Sequence, residues 1–450
     1  MFKNGDILNS SVFGSIEIQE RIASGGQGTV YKINTSGQQY ALKWYNKLWS
    51  TPDQYARISK LVEVGAPKDP PDVDARFAWP IDIVGTSDDP EKGFGYIMPL
   101  VPGNFETNGY LIAQRIRNPF VLCEMSRQLT EAFRALHISG FCYQDISEKN
   151  IKVEPNTGDI SILDNDNVVV DKTAATQIGT PSFIAPEVVR QENYPCSASD
   201  LHSLAVLLFH FWMWHHPFHG RLEFDTICKS PESDLALYGT PVFIFDPLDK
   251  SNEVPVNEDG YRNLPARWQG CPEALKKLFV RSFTSGLKDP NERVNAGEWL
   301  SAFRNLRDSI MLCSSEKCSK DPTPFLVDLE KEGDIGCHKC GTAIQSRPLK
   351  LTIRSGTRHT EIPILPSTRV TSNHISKSIQ TTTDKDAQLI GFVDRTNDES
   401  KRWILRNASG SAWTLKTSSG KTAVVPGGKA CVISPGIEIR MESAVASISK

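Results

Sequence analysis

The strongest constraint on the fold of this 450-residue chain is the order of three polar residues around one apolar run. Asp145 and Asn150 stand five residues apart after a helix-like segment, and Asp164 follows Asn150 by fourteen residues. Asp164 ends the apolar run 160–163, and a carboxylate at a strand end beside bound phosphates suits Mg²⁺. Aspartate and asparagine clusters are most often plain turns. This combination at this spacing nevertheless favours a metal-binding site.

A glycine-rich segment and a lysine lie upstream of these residues. Residues 23–30 read Ala-Ser-Gly-Gly-Gln-Gly-Thr-Val, and glycine lets backbone N–H groups approach phosphates without obstruction by a Cβ atom. Lys43 follows Val30 by thirteen residues, at the close of an apolar strand, where its ammonium can reach phosphate oxygens. Each feature alone is usually a turn or a surface lysine, so the pair by itself is only suggestive.

Taken in order, these elements resemble the eukaryotic-type Ser/Thr protein kinase family over about residues 12–311. Residues 179–187 are similar to the end of that family's activation segment and finish in its Ala-Pro-Glu signature. Asp200 resembles the aspartate that braces the catalytic loop, and Arg293 resembles the arginine that pairs with the signature glutamate, here Glu187. The resemblance predicts a strand-rich N-terminal lobe and a larger helical lobe.

The resemblance also implies roles for individual residues. Asp145 would be the catalytic base, Asn150 and Asp164 would bind Mg²⁺ (or Mn²⁺), and Lys43 would hold the α- and β-phosphates of ATP. Met98 would be the gatekeeper of a hinge whose backbone faces adenine. The implied nucleotide-binding set is Ala23, Gly25, Gly26, Gly28, Val30, Ala41, Lys43, Met98, Pro99 and Val101.

Several positions depart from the family pattern. Gln144 replaces the arginine that pairs with a phosphorylated activation loop, so activity should not depend strongly on loop phosphorylation. Ser147 replaces a lysine, and Lys149 could reach the γ-phosphate instead, which leaves the preference between Ser/Thr and Tyr open. Asn165 replaces the phenylalanine of Asp-Phe-Gly, so the inactivating flip should be disfavoured. Glu63, twenty residues past Lys43, is the predicted helix partner of that lysine, with a surface charge as the alternative.

Composition limits the other function classes. The formal net charge of −3 argues against a general nucleic-acid binder. The sequence contains no apolar window long enough for a membrane span and no secretory h-region near its start, which predicts a cytoplasmic protein.

Two close cysteine pairs follow the kinase-like region. Cys313 and Cys318 precede Cys337 and Cys340 by eighteen intervening residues, the spacing of a zinc ribbon. The alternative is coincidental free thiols. A closed four-thiolate site would be structural, and Zn²⁺ would then supply much of the folding free energy of so small a segment.

The C-terminal region is rich in Ser, Thr, Val and Ile, with turn residues between strand-like runs. Its end weakly resembles forkhead-associated β-sandwiches, although their phosphate-binding signatures are missing, and Arg369 or Arg395 could still serve an anion site. The predicted architecture is α+β: a bilobal kinase domain over 1–311 (lobes about 1–101 and 102–311), a zinc ribbon over 312–347 and an all-β module over 348–450. Residues 366–387 are predicted as a polar loop or flexible insert.

Three functions are considered, and the retention of Lys43, Asp145, Asn150 and Asp164 together favours the first, an active kinase. An active kinase would transfer phosphate from Mg·ATP to a protein Ser or Thr; a pseudokinase would use the same domains only as a scaffold. A small-molecule kinase of the aminoglycoside type is disfavoured by Asp200, Arg293 and the Ala-Pro-Glu segment. The domain order also resembles bacterial kinases that act alongside a type-2C protein phosphatase and a von Willebrand A-type protein, which implies these partners.

Overall fold

A computed structural model of the chain describes all residues except 87–92, 174–178, 227, 229, 321, 332–334, 345–346, 367 and 378–386. The described chain forms two compact units. The first contains Met1–Ile116, Gln128–Leu264 and Val280–Arg293, and the second contains Arg117–Arg127, Pro265–Phe279 and Val294–Lys450. Among the described residues, none of the helices combines the length and apolar character that crossing a bilayer requires.

An antiparallel six-stranded sheet with the order β1-β2-β3-β4-β6-β5 opens the first unit. Ile16, Ile33, Leu42 and Ile97 form part of its buried apolar face. The central strand β4 pairs with β3 on one side and with β6 on the other. This register places Lys43 opposite Val30 of β3 and Tyr96 of β6. The strands are β1 (Ile7–Ser10), β2 (Gly14–Ser24), β3 (Gly28–Thr35), β4 (Gln38–Tyr45), β5 (Asp82–Gly85) and β6 (Phe94–Pro99).

Helix α1 (Pro52–Val64) lies between β4 and β5 in sequence. Thr51 caps it by accepting a hydrogen bond from the backbone N–H of Gln54, and Pro52 occupies the first turn, where its missing N–H is not needed. The helix buries Gln54, Ile58 and Leu61. A buried glutamine beside two aliphatic side chains is unusual, and its partner lies in the site described below.

Helices and short strands make up the rest of the first unit. Helix α5 is buried along most of its length, as expected for a helix that is apolar around its circumference. The helices are α2 (Asn108–Ala113), α3 (Pro119–Ile138), α4 (Pro186–Val189), α5 (Ser197–Met213), α6 (Arg221–Phe224), α7 (Pro231–Gly239), α8 (Leu264–Gly270), α9 (Glu273–Ser282) and α10 (Ser285–Lys288). The paired strands are β7 (Phe141–Cys142) with β10 (Val169–Val170), and β8 (Ile151–Val153) with β9 (Ile160–Ile162). Parts of α3, α8 and α9 belong to the second unit.

The second unit contains helix α11 (Ala296–Asp308), a two-stranded hairpin and two larger antiparallel sheets. The hairpin joins β11 (Ile310–Leu312) to β12 (Pro324–Leu326). A six-stranded sheet has the order β14-β13-β22-β21-β18-β19 and a four-stranded sheet the order β15-β16-β17-β20. These strands are β13 (Lys350–Ser355), β14 (Arg358–Pro363), β15 (Arg369–Thr371), β16 (Leu389–Arg395), β17 (Trp403–Asn407), β18 (Trp413–Lys416), β19 (Thr422–Val425), β20 (Ala430–Val432), β21 (Glu438–Met441) and β22 (Ala444–Ser449).

The two larger sheets share one apolar core, so they form a β-sandwich. Ile353 and Ile448 contribute from the six-stranded sheet, and Val393 and Leu405 contribute from the four-stranded sheet. Trp413 is fully buried, and its ring lies so close to Gly391 that a Cβ atom there would be 2.7 Å from it.

The α+β class and the strand-rich tail agree with the sequence-based expectation. The polar stretch 366–387 is not all loop, because it contains β15 and the short helix α12 (Ser372–Ile375). Most of the rest of that stretch lies outside the described residues. The compact units do not coincide with the domain limits inferred from sequence, so those limits stand as a proposal.

Candidate active site

Strand β4 carries Lys43 into the cleft of the first unit, where two carboxylates meet its ammonium. Lys43 Nζ donates to Asp166 at 2.9 and 3.0 Å and to Asp164 Oδ1 at 3.2 Å. Asp166 is only 1% exposed, whereas the side chain of Asp164 is 45% exposed. Asp164 caps a one-turn 3₁₀ helix after β9 that contains Asp166, and Asp164 takes the left-handed conformation (φ 47°) that turns the chain there. A buried ammonium is thus held between one enclosed and one accessible carboxylate.

The electrostatics of this group follow from burial and charge. Burial would lower the pKa of Lys43, but Asp166 and Asp164 outweigh burial and the pKa is raised. Burial would raise the pKa of Asp166, yet the Lys43 ammonium and the Tyr45 hydroxyl hold it below its ordinary value. Burial, followed by the Asp166 charge, raises the pKa of Tyr45 well above 10. Lys43 is therefore charged, Asp166 ionised and Tyr45 a neutral donor near pH 7.

The loop after β7 presents Asp145 to the same cleft. Its Oδ1 accepts hydrogen bonds from the backbone N–H and the hydroxyl of Thr180, both at 2.9 Å. Its Oδ2 accepts from Asn150 Nδ2 at 3.1 Å, and the same amide donates to the Asp145 carbonyl at 2.9 Å. Asp145, Asp164, Gln27 and Thr180 line a cavity of about 260 Å³. Two hydrogen-bonding neighbours therefore fix the direction of the Asp145 carboxylate beside this cavity.

A second aspartate holds the backbone of that loop. Asp200, buried in α5, accepts hydrogen bonds from the N–H groups of Tyr143 at 2.7 Å and Gln144 at 3.3 Å. His137 Nε2 lies 2.9 Å from Asp200 Oδ2. Gln144 has φ of 66°, a strained value for a non-glycine residue, and the two N–H bonds to Asp200 compensate for it. The predicted bracing role of Asp200 matches these contacts.

The glycine-rich segment forms the turn between β2 and β3, with Ala23 and Val30 paired beneath it. A Cβ atom at Gly28 would collide with the carbonyl oxygen of Trp44, whereas Gly25 and Gly26 face open space. The tip residue Gln27 accepts a hydrogen bond from Lys43 Nζ at 2.9 Å. The turn therefore reaches down to the lysine.

The predicted hinge lies at the end of β6. Ala41 pairs with Met98, the predicted gatekeeper, which is buried, and Tyr40 pairs with Pro99, the first of the two predicted adenine-facing positions. Val101 follows the strand and is partly exposed. Lys149 lies on the short 3₁₀ helix Glu148–Asn150 and is exposed. The structure leaves its proposed reach to a γ-phosphate as a prediction.

The predicted partner of Lys43 is wrong. Glu63 lies near the end of α1 with its side chain 71% exposed, and its carboxylate pairs with Lys60 at 2.9 Å. Asp166 takes its place at Lys43. The spacing that pointed to Glu63 failed for two reasons. Helix α1 begins only seven residues after β4, and its buried face carries Gln54 rather than a glutamate.

Sequence reasoning also missed the residues around Asp166. Tyr45 donates to Asp166 Oδ2 at 2.6 Å, and Gln54 Nε2 donates to the Tyr45 hydroxyl at 2.8 Å. One signal was available: Lys43 and Tyr45 are two residues apart on a strand, so their side chains point to the same face of the sheet. The sequence shows that Asp166 is present, but it does not show that its carboxylate points toward Lys43.

Comparison with known proteins agrees with this geometry. Residues 81–300 match the family model of the protein kinase domain. The serine/threonine-protein kinase AfsK of Streptomyces coelicolor is 26% identical over 51% of this chain and 28% of its own length. Protein kinase C-like 1 of Saccharomyces cerevisiae is 27% identical over 34% of this chain and 13% of its own length. Human protein kinase C delta type is 35% identical over 23% of this chain and 15% of its own length.

The chain contains a protein kinase domain. The matched part of this chain covers less than a third of the length of each of these three relatives. The family match begins within the N-terminal sheet, at residue 81. Lys43 and the glycine-rich turn lie before that point: Lys43 contacts Asp164 and Asp166, and Gln27 of the turn accepts a hydrogen bond from Lys43.

The kinase domain also pairs its Ala-Pro-Glu glutamate with an arginine. Arg293 donates to both carboxylate oxygens of Glu187, at 2.9 and 2.7 Å, and both side chains are buried. Arg293 donates further to the carbonyl of Ala198 at 2.8 Å. His216 Nε2, 2.7 Å from the carbonyl of Ser182, holds the segment just before Glu187. These contacts anchor the end of the activation segment, whose residues 174–178 lie outside the described part of the chain.

The four paired cysteines come together in the second unit. The Sγ atoms of Cys313, Cys318, Cys337 and Cys340 all lie within 4.8 Å of one another, and Cys313 Sγ is 3.7 Å from Cys340 Sγ. Four thiolates at the usual Zn–S length of about 2.3 Å would lie about 3.8 Å apart in a tetrahedron. The donor set and its spacing therefore fit a closed Zn²⁺ site.

Proposed function

We propose that the chain catalyses transfer of the γ-phosphoryl group of Mg·ATP to Ser or Thr hydroxyls of a protein substrate. The observation that carries this proposal is the meeting of Lys43, Asp145, Asn150 and Asp164 around one cleft of the kinase domain. These groups come from three separate segments of the chain, around Lys43, Asp145–Asn150 and Asp164, and no structural need would bring these three segments together beside a polar cavity.

Each residue has a role that its position supports. Asp145 accepts the proton of the substrate hydroxyl, because its carboxylate faces the cavity with its direction fixed by Thr180 and Asn150. Asp164 and Asn150 offer the oxygen ligands for Mg²⁺, which neutralises phosphate charge when bound. Lys43 contributes a fixed positive charge next to Asp164. The turn at Gly25–Gly28 covers the phosphates.

Activity should depend little on phosphorylation of the activation segment. Gln144 has no charge with which to bind a phosphorylated residue, and its backbone is held by Asp200 rather than by that segment. Treatment with a phosphatase should therefore leave most of the turnover. Loss of nearly all turnover after dephosphorylation would refute this part of the proposal.

The test of the proposed reaction is transfer of label from γ-labelled ATP to a generic protein substrate in the presence of Mg²⁺. Asp145→Ala and Asp164→Ala should each abolish transfer, while Asp171→Asn, which alters a carboxylate bound to Ser197, should retain it. Phosphoamino-acid analysis of the product separates Ser/Thr from Tyr specificity. Transfer that survives both alanine changes would refute the assigned roles.

A pseudokinase scaffold is the second candidate. It is favoured by the hydrogen bonds from Lys43 to Asp166 and Gln27, which hold the phosphate-binding lysine inside a closed protein network. The labelling assay separates the two functions, since a scaffold would bind partners but transfer no label at any Mg·ATP concentration.

The remaining parts of the chain complete the proposal. Cys313, Cys318, Cys337 and Cys340 hold a structural Zn²⁺, and the tail is a forkhead-associated-like sandwich that contacts proteins. A type-2C protein phosphatase and a von Willebrand A-type protein are proposed partners from the resemblance in domain order. Co-purification with each purified candidate would test them one at a time.

A further inference from the structure

We propose that Asp166 is the positioning residue of Lys43 and takes over the task expected of a glutamate on α1. This inference deepens the proposed kinase function and rests on it. The acidic residues of α1 are Asp53 and Glu63, and both are exposed. In the described part of the chain, the carboxylates that bond to Lys43 are those of Asp164 and Asp166.

Asp164 and Asp166 differ in exposure, and this difference suits them to different roles. Asp164 opens on the cavity and is available to a metal ion, whereas Asp166 is enclosed by Lys43 and Tyr45. When Asp164 turns to Mg²⁺, Lys43 still keeps both oxygens of Asp166. A buried ammonium without any carboxylate partner would be costly. Asp166 thus holds the lysine in place while its neighbour binds metal.

Asp166 is also linked to helix α1. The Tyr45 hydroxyl donates to Asp166 and accepts from Gln54 Nε2, so a chain of hydrogen bonds joins the helix to the lysine. Gln54 is buried in the first turn of α1. A shift of α1 would therefore move Tyr45 and Asp166 and so change the position of Lys43, although no carboxylate of α1 contacts the lysine in the described part of the chain.

The test compares two ligands in the full-length chain. Asp166→Asn should weaken binding of Mg·AMP-PNP about ten- to a hundredfold, the range for a lost hydrogen bond to a charged group. Binding of adenosine, which has no phosphates, should remain unchanged. Asp171→Asn is the matched control and should affect neither ligand. In the labelling assay, Asp166→Asn should raise the KM for ATP and lower kcat.

The outcomes separate the two claims. Equal affinity of parent and Asp166→Asn for Mg·AMP-PNP overturns the role of Asp166, as does equal weakening of both ligands, which indicates structural damage only. A parent that binds the nucleotide but transfers no label contradicts the proposed function and leaves the binding comparison valid. If Asp166→Asn does not fold, Tyr45→Phe replaces it, with a two- to fivefold loss expected for Mg·AMP-PNP alone; no loss there overturns the proposal.

A separate observation carries a second inference. A cavity of about 460 Å³ lies in the second unit between α11, β14 and the segment 368–374, and four arginines line it. They are Arg304, Arg307, Arg358 and Arg369. The volume falls within the range of small-ligand pockets, about 300–1,000 Å³.

The described residues that line this cavity include four arginines and one carboxylate. Asp308 is the acidic residue among the described lining residues, and it pairs with His374 at 2.7 Å. Arg307 lies 3.5 Å from Glu124. Burial, and then the charge of Arg304, lower the pKa of Arg358. Two guanidinium groups that repel each other at the wall of a cavity favour a dianion between them.

We infer that this cavity binds a phosphomonoester. Guanidinium groups match phosphate oxygens in planar, bidentate geometry, and a phosphate monoester carries nearly two negative charges near pH 7. Thr360 and Asn373 in the lining add polar groups for the remaining oxygens. The phosphate can belong to a small molecule or to a phosphorylated side chain, which share this chemistry.

Calorimetric titration with the full-length chain, saturated with Mg·AMP-PNP to fill the cleft, tests the site. The probes are inorganic phosphate, a phosphothreonine peptide and the same peptide without phosphate. Arg358→Gln and Arg369→Gln should each weaken binding of a phosphate-bearing probe at least about tenfold, the loss of one charge-assisted hydrogen bond. Arg395→Gln is the control, since Arg395 stacks on Trp403 away from the lining.

The probes also identify the source of the phosphate. Tighter binding of the phosphopeptide than of phosphate supports a phosphorylated protein segment, and equal binding supports a small anion. The inference is overturned if neither phosphate-bearing probe binds, if the unphosphorylated peptide binds as tightly as its phosphorylated form, or if both arginine variants bind like the parent.

Discussion

Two Arg–Glu pairs in the kinase domain have the same hydrogen-bond lengths and opposite exposure, so they can be compared in one experiment. Arg293 bonds Glu187 at 2.9 and 2.7 Å, and Arg190 bonds Glu192 at 2.9 and 2.7 Å. The side chains of the first pair are 2% and 11% exposed, whereas those of the second are 33% and 54% exposed. The two pairs match in hydrogen-bond length and differ strongly in burial, so neutralising each glutamate compares a buried ion pair with an exposed one.

Glu187→Gln should destabilise the kinase domain strongly. Removing one partner of a buried ion pair leaves the other charge uncompensated, at a cost of about 3–5 kcal/mol. Arg293 keeps the carbonyl oxygens of Ala198 and Gly286 as acceptors, which places the expected loss near the lower limit, about 3 kcal/mol. Glu192→Gln removes a solvated charge and should leave stability unchanged within error.

Differential scanning calorimetry of the two variants and the parent is the assay, because it resolves separate transitions in a chain of two units. Equal transition temperatures for Glu187→Gln and Glu192→Gln would refute the reasoning. A further check is Glu187→Met combined with Arg293→Met. If the cost comes from an unpaired buried charge, the double variant should be more stable than either single variant.

Three other predictions test separate features. Chelation of zinc should release one metal ion per chain, measured by a colorimetric indicator, and should unfold residues 313–340 while the nucleotide cleft stays intact; a metal-free preparation with unchanged protection in hydrogen exchange would contradict the site. Gly28→Ala should destabilise the domain by roughly 1–3 kcal/mol through its clash with the Trp44 carbonyl, whereas Gly26→Ala, in open space, should melt like the parent. His202 and His216 are buried, and burial holds the pKa of each well below 6.5. Their contribution to the free energy of unfolding is therefore complete above about pH 6.5 and is lost as the pH falls below that value. The slope should approach about 1.4 kcal/mol per pH unit for each of these histidines, and His202→Phe should remove one such contribution in melts between pH 7.5 and 5.5.

Much of the active site was readable because it depends on residue type and order along the chain. Asp145, Asn150 and Asp164 were predicted from their spacing, and Lys43 from its place at the end of a strand. The start of helix α1 is also marked in the sequence, by a capping threonine and a first-turn proline. The strand-rich nature of the C-terminal region followed from β-branched residues between turns, as at Leu389 and Trp403.

The partner of Lys43 was not readable in the same way. A spacing rule pointed to Glu63, which lies on the exposed side of α1, while the residue that bonds Lys43 is Asp166, 123 positions along the chain. Periodicity places a side chain on a face of its own element, but it does not say which face of another element lies opposite. The cluster of arginines around the 460 Å³ cavity could not be predicted for the same reason, because these arginines come from three separate elements, α11, β14 and β15.

The sequence by itself thus determined which chemical groups this chain carries: carboxylates and an amide with oxygen atoms that suit metal ions, a strand-end lysine and four thiols, each in a recognisable local setting. Only the tertiary structure decided which of these groups meet, how deeply each is buried and therefore how strongly its charge is felt. The physical reason is that an interaction between charges depends on distance and solvent exposure, and for groups far apart along the chain both are set by the packing of strands and helices.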